Sequence, residues 1–173
     1  ITITPSTGVT TNTSLSCTVT TSDADGDTVT FNYEWLVDTV TQSETSNTFS
    51  AAFVVGSVIS CRSTPTDGKD TGNTEQVDVT IENTLPVVDS VSLSPSSVYT
   101  NDVITATAVL SDADSSQSAS LSATYDWYVD GGIQPVQSGS SNTLDGAVHF
   151  DKDQEVYVMV TPNDGVEDGS SVA

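Results

Sequence analysis

Residues 22–27 read SDADGD and residues 111–114 read SDAD, so aspartates alternate along the chain at two separate places. Like charges this close repel unless solvent or a cation relieves them. The spacing therefore marks either the start of a metal site or an ordinary solvated turn, since Asp and Gly are common turn formers. Carboxylate oxygens are the hard donors that Ca²⁺ takes, about six to eight at a time. Asp23, Asp25 and Asp27 match the opening of an EF-hand loop, and Glu34 falls at its twelfth position. That loop needs glycine at its sixth position, which is Thr28 here. The second copy reads Asp112, Asp114, Ser116, with Ala123 at the twelfth place. The EF-hand reading fails on both counts, and Glu34 is assigned to a strand.

Other chemistry finds little support. His149, the single histidine, has no cysteine or second histidine near it in sequence to make a transition-metal set, and it is read as a surface residue. Neither a Gly-x-Ser-x-Gly elbow nor a phosphate loop is present. Carboxylates are plentiful but fall on turns, without a cleft to raise one pKa for acid catalysis. The chain is thus expected to be non-enzymatic. Tyr33, Trp35, Tyr125 and Trp127 suggest a sugar platform, but their period-two spacing assigns them to one buried strand face, with Tyr128 opposite. Asn12-Thr13-Ser14 is a lone glycosylation sequon.

The elements that position these loops follow from bulk composition and repetition. The 173 residues include 24 acidic and 3 basic side chains, a formal charge of −21. Such a surface repels nucleic acid and anionic membranes and favours cations. Serine and threonine make up roughly 30%, and threonine suits the solvent face of a strand. No run approaches the ~18 apolar residues of a membrane span, and no charged-then-apolar leader opens the chain. Ile1 reads as the middle of a repeat, so a longer parent protein with its export signal elsewhere is expected.

Three blocks recur in order. ITITPSTGVTTNTSLSCTVTTSDAD (1–25) matches VSLSPSSVYTNDVITATAVLSDAD (91–114), FNYEWLVD (31–38) matches ATYDWYVD (123–130), and STPTDGKD (63–70) matches VTPNDGVE (160–167). Pro86 and the preceding Asn-Thr mark a boundary, giving domains at 1–84 and 85–173. In the first, strands are expected near 1–4, 14–21, 28–37, 46–52, 57–64 and 74–82, with no helical stripe. Such strands separated by turns describe an antiparallel β-sandwich. The second repeat stops about where its last strand should begin, so that strand is expected to be truncated or supplied by a neighbour.

Cys17, Trp35 and Cys61 follow the order of the immunoglobulin inter-sheet bridge with its packed indole. A Cys17–Cys61 disulfide and an oxidising compartment are expected, with two buried free thiols as the alternative. The aligned positions in the second repeat are Ala106 and Val158, where apolar packing around Trp127 must serve.

Together SDADGD, YEWLVD/YDWYVD, TPTDG/TPNDG and the NTLP linker resemble the PKD-like and bacterial Ig-like repeats of large microbial surface proteins. The resemblance spans essentially the whole chain. It implies an all-β fold of two tandem Ig-like (PKD-like) antiparallel β-sandwiches, acting as extracellular spacers in adhesins, surface layers and secreted multidomain enzymes. Two departures stand out: the Gly-Asp-Gly that follows the tryptophan in typical PKD domains is missing, and Ile59 occupies the place of the corner tyrosine of antibody-type domains.

In an Ig-like sandwich, the loop after strand two and the loop before the last strand share a pole. That pole would gather Asp112, Asp114 and Asp164 in the second repeat, with Glu82 and Asn83 from the linker and Glu167 as a weaker addition. In the first repeat it would gather Asp23, Asp25, Asp27 and Asp67, with Asp70. Structural Ca²⁺ is the expected ion, and the linker resembles the Asn-containing junctions of cadherin-type rods. The leading expectation is a cell-surface spacer or adhesive stalk, stiffened by Ca²⁺ at the inter-domain junction. Its partners would be neighbouring Ig-like repeats of the same chain, identical subunits or cell-surface ligands, with no nucleic acid and no direct membrane insertion. The alternatives are a strand-exchanging subunit of an extracellular filament or surface layer, and the substrate-binding module of a secreted hydrolase.

Overall fold

Alternation of small polar and branched apolar residues makes this chain a strand former almost throughout, and the computed structural model, which describes residues 1–173, bears that out. The chain divides into two compact units, Ile1–Asn83 and Thr84–Ala173.

Unit one holds seven strands: β1 (Thr2–Thr4), β2 (Leu15–Thr18), β3 (Thr30–Val37), β4 (Val40–Thr41), β5 (Thr48–Phe49), β6 (Val58–Thr66) and β7 (Glu75–Thr80). They form two antiparallel sheets, ordered β1-β2-β5 and β4-β3-β6-β7. Three strands differ from the sequence expectation, the first being β2, expected near 14–21 and ending at Thr18. β4 follows a two-residue turn in which Asp38 and Thr39 both have positive φ, 48° and 75°, without the Asn-Gly signal that normally announces such hairpins. The strand expected at 46–52 is shorter, pairing at Thr48–Phe49.

The core lies between the two sheets. Leu15, Trp35, Ile59 and Ile81 are fully buried there among Val9, Phe49 and Phe53, and removing such an aliphatic side chain from water contributes about 2 kcal/mol each. Trp35 pairs in register with Cys61, and Ile3 with Cys17. The two cysteines form a disulfide, joining one sheet to the other. The Trp35 indole donates to the Ser46 carbonyl, which satisfies its one polar group.

Unit two repeats the plan with β8 (Val87–Ser94), β9 (Val103–Ser111), β10 (Ser122–Val129), β11 (Gln137–Gly139), β12 (Thr143–Asp145) and β13 (Val156–Asn163). Its sheets are ordered β12-β9-β8 and β11-β10-β13. Trp127 pairs with Val158 and Leu93 with Ala106, so apolar side chains stand in the register occupied by the disulfide in unit one. All of Ala106, Trp127 and Val158 are buried, and the Trp127 indole donates to the Ser141 carbonyl. Asp38 and Asp130, both at positive φ, clasp the next strand alike: Asp38 accepts from Val58 N–H and the Ser57 hydroxyl, Asp130 from Glu155 N–H and the Gln154 amide. Two short helical pieces interrupt the β pattern, a 3₁₀ turn at Ser115–Ser120 and one α turn at Gly146–His149. No helix is long and apolar enough to cross a membrane.

Candidate functional site

In both units the aspartates of the loops between the sheets serve first as acceptors for their own backbones. Asp23 accepts from Asp25 N–H (2.8 Å) and Asp27 N–H (3.1 Å), and Asp112 accepts from Asp114 N–H (2.6 Å). The hairpin before the last strand does the same. Asp67 Oδ1 takes Lys69 N–H and Asp70 N–H, and Asp164 Oδ1 takes Val166 N–H and Glu167 N–H, each at 2.7–2.8 Å. The backbone donors of Asp70 and Lys69 hold the Asp67 carboxyl below the usual carboxylate range, because they stabilise only its charged form. Gly68 and Gly165 supply the positive φ, 88° and 92°, that each hairpin requires.

The two poles differ in charge balance. In unit one Lys69 pairs with Asp27, which ties the SDADGD loop to the TPTDGKD hairpin. The protein itself thus supplies the cation there, while Asp25 and Asp70 remain exposed. The matching position in unit two is Val166, which carries no charge. Yet Asp114 and Asp164 are 0% and 1% exposed. Asp114 Oδ2 accepts from Thr84 N–H (2.7 Å), which brings the start of the unit onto the SDAD loop. A Cβ built on Gly165 would lie 3.1 Å from the Ser120 side chain, so the hairpin of Asp164 reaches the 3₁₀ turn that follows Asp114.

These residues meet a calcium ion's needs unequally. No group of three or more His, Cys, Asp or Glu side chains is arranged to hold a metal ion. The unit one carboxylates are turned to backbone N–H groups and Lys69, and they do not fit one. In unit two Asp112 Oδ2 and Thr84 Oγ1 are buried oxygens without a hydrogen-bond partner, which is the kind of donor a hard cation satisfies. Asp112 is thus the acid of unit two with an unpartnered buried oxygen, while Asp114 and Asp164 accept from backbone N–H groups. Of the linker residues, exposed Glu82 accepts from Gly8 N–H (2.9 Å) within unit one, and Asn83 is half-buried. Glu167 is exposed.

The remaining candidates are structural. Trp35 and Trp127 are core residues, with Tyr33 and Tyr125 packed against the same cores. On the opposite face Tyr128 stacks on Tyr157 at 4.8 Å between ring centroids. His149 is half-buried in the last position of the α turn. Sequence reading missed two features: the Lys69–Asp27 pair, and an apolar groove of about 600 Å³ on unit two.

No protein-family model and no curated protein matches this chain. Among solved structures, a segment of two fibronectin type III domains from chicken tenascin aligns with 95% of this chain and 90% of that one, at 12% identity and a TM-score of 0.49. A likeness so distant bears on neither family nor function. The class is defined by the strand register itself: two tandem Ig-like β-sandwiches, one of them bridged by a disulfide.

Proposed function

We propose that this chain is a non-catalytic pair of extracellular modules, a PKD-like or bacterial Ig-like spacer of the kind that builds adhesive stalks. The observation that carries this reading is the tandem repetition of one sandwich, with the first copy cross-linked between its sheets. A disulfide persists in oxidising compartments outside the cytosol. The −21 charge keeps such a surface soluble and away from anionic partners.

Within this reading Ca²⁺ is held in unit two by Asp112, Asp114 and Asp164. The ion would supply positive charge at the pole where Val166 stands in the place of Lys69, and so stiffen it. With an affinity of roughly 10⁻³ M, typical of extracellular modules, 10 mM calcium would stabilise unit two by about 1.4 kcal/mol. The test is thermal melting in calcium against chelator, for the parent chain and for Asp114→Asn with Asp164→Asn. A higher midpoint in calcium, abolished by the double substitution, supports the reading; identical midpoints with no calorimetric heat of binding overturn the calcium part. A glycan-array screen separates a spacer, which gives no signal, from the substrate-binding module of a hydrolase.

A further inference from the structure

We propose that Tyr128 and Tyr157, stacked on the outer face of the β10–β13 pair, form an oxidative cross-linking site, where a peroxidase-type oxidant joins the two rings as dityrosine. The inference stands on the geometry of unit two and is independent of the calcium reading.

Tyr128 and Tyr157 lie directly opposite each other in the antiparallel ladder, one step from the pair Trp127 and Val158. Successive side chains of a strand point to opposite faces of the sheet. Trp127 and Val158 are buried in the core, so both tyrosines project from the outer face, where each is half-buried. Their ring centroids are 4.8 Å apart and their planes 5° from parallel. Nearly parallel rings at this distance are offset-stacked, which brings carbons of the two phenols into van der Waals contact.

The arrangement belongs to unit two and is not inherited from the repeat. In unit one the aligned rung pairs Leu36 with Ser60. Tyr33 and Tyr125 pack against the cores, and Tyr99 is 78% exposed. No other two tyrosines make a ring contact. Unit two is also the unit without a disulfide.

The chemistry balances with hydrogen peroxide as the oxidant and a haem peroxidase as its carrier. Each phenol gives up one electron and its hydroxyl proton. The two ring radicals pair their electrons in one new carbon–carbon bond, between positions next to the hydroxyl-bearing carbons. The hydrogens displaced from those positions move to the oxygens and restore both phenols. The peroxide takes up two electrons and two protons and becomes two waters. Because the ladder holds the rings together, the coupling is intramolecular and outruns encounters between separate chains. The bond would staple β10 to β13 within one sheet, whereas the disulfide of unit one joins two sheets.

The basic residues give a direct readout. Arg62, Lys69 and Lys152 are the only ones in the chain. Trypsin therefore parts Tyr128, in residues 70–152, from Tyr157, the one tyrosine of residues 153–173. Cys17 and Cys61 both fall within residues 1–62, so the disulfide joins no two fragments. The intact chain is treated with peroxide and a haem peroxidase that couples free tyrosine in the same buffer. Monomer and any dimer are then separated, denatured, digested and analysed by mass spectrometry. In the monomer, residues 70–152 and 153–173 should stay joined. Met159 is the other oxidisable side chain on this face, so the joining of fragments is read rather than the mass of the chain. Tyr99→Phe should leave the yield of joined product unchanged, and Tyr128→Phe should lower it at least about tenfold. Separate fragments in the oxidised parent overturn the proposal, as does joining that survives in Tyr128→Phe or occurs only in dimers.

Discussion

Lys69 donates to Asp27 across 42 residues of sequence, and Val166 stands at the corresponding place in unit two. One lysine thus separates two otherwise parallel acidic poles. Its side chain is 72% exposed and that of Asp27 36%, so the pair is solvent-screened. Lys69→Val should cost unit one no more than about 1 kcal/mol at low salt. The loss should fade as ionic strength rises, as thermal melts at two salt concentrations would show. A large, salt-insensitive loss would mean that the lysine acts by packing.

Reduction of the Cys17–Cys61 bridge should destabilise unit one alone. For a sequence separation of 44 residues, the chain-entropy model gives about 4 kcal/mol, less any strain. Calorimetry of the Cys17→Ala/Cys61→Ala chain should show one transition moved down and the other unchanged, since unit two packs Ala106 and Val158 in that register.

The lowered pKa of Asp67 sets a pH dependence. Its contribution to stability is complete above the unfolded carboxylate value of about 3.9 and is lost as pH falls through the lower folded value. Asp67→Asn keeps an acceptor for Lys69 N–H and Asp70 N–H but removes the charge. The variant should melt below the parent at neutral pH, and the two curves should converge in acid. A gap that persists unchanged at low pH would assign the effect to geometry.

Gly169 donates to the Pro162 carbonyl, and a Cβ there would lie 1.9 Å from the Pro86 carbonyl oxygen. Two backbones approach too closely for any side chain. Gly169→Ala should therefore cost unit two about 1–3 kcal/mol, measured by denaturant melts, while Gly26→Ala, in open space at positive φ, probes backbone strain alone.

Much of this fold is legible in the residues because its signals are local. Period-two alternation placed Trp35 and Trp127 in the cores, and the ordered recurrence of three blocks announced two sandwiches. The alternating aspartates were legible as turn formers, a role their backbone hydrogen bonds confirm. Their burial was not legible: Asp25 and its partner Asp114 occupy matching positions, yet one is exposed and the other has no exposure at all. Solvent access depends on what the rest of the chain lays over a loop.

By itself the sequence determined the all-β character, the duplication and the pairing partner of each cysteine, because strand patterning and the Cys-Trp-Cys order are written residue by residue. Only the tertiary structure decided which aspartates answer to Lys69 and which are buried. Those properties arise between segments far apart in the chain, where packing, and no local pattern, selects the neighbour.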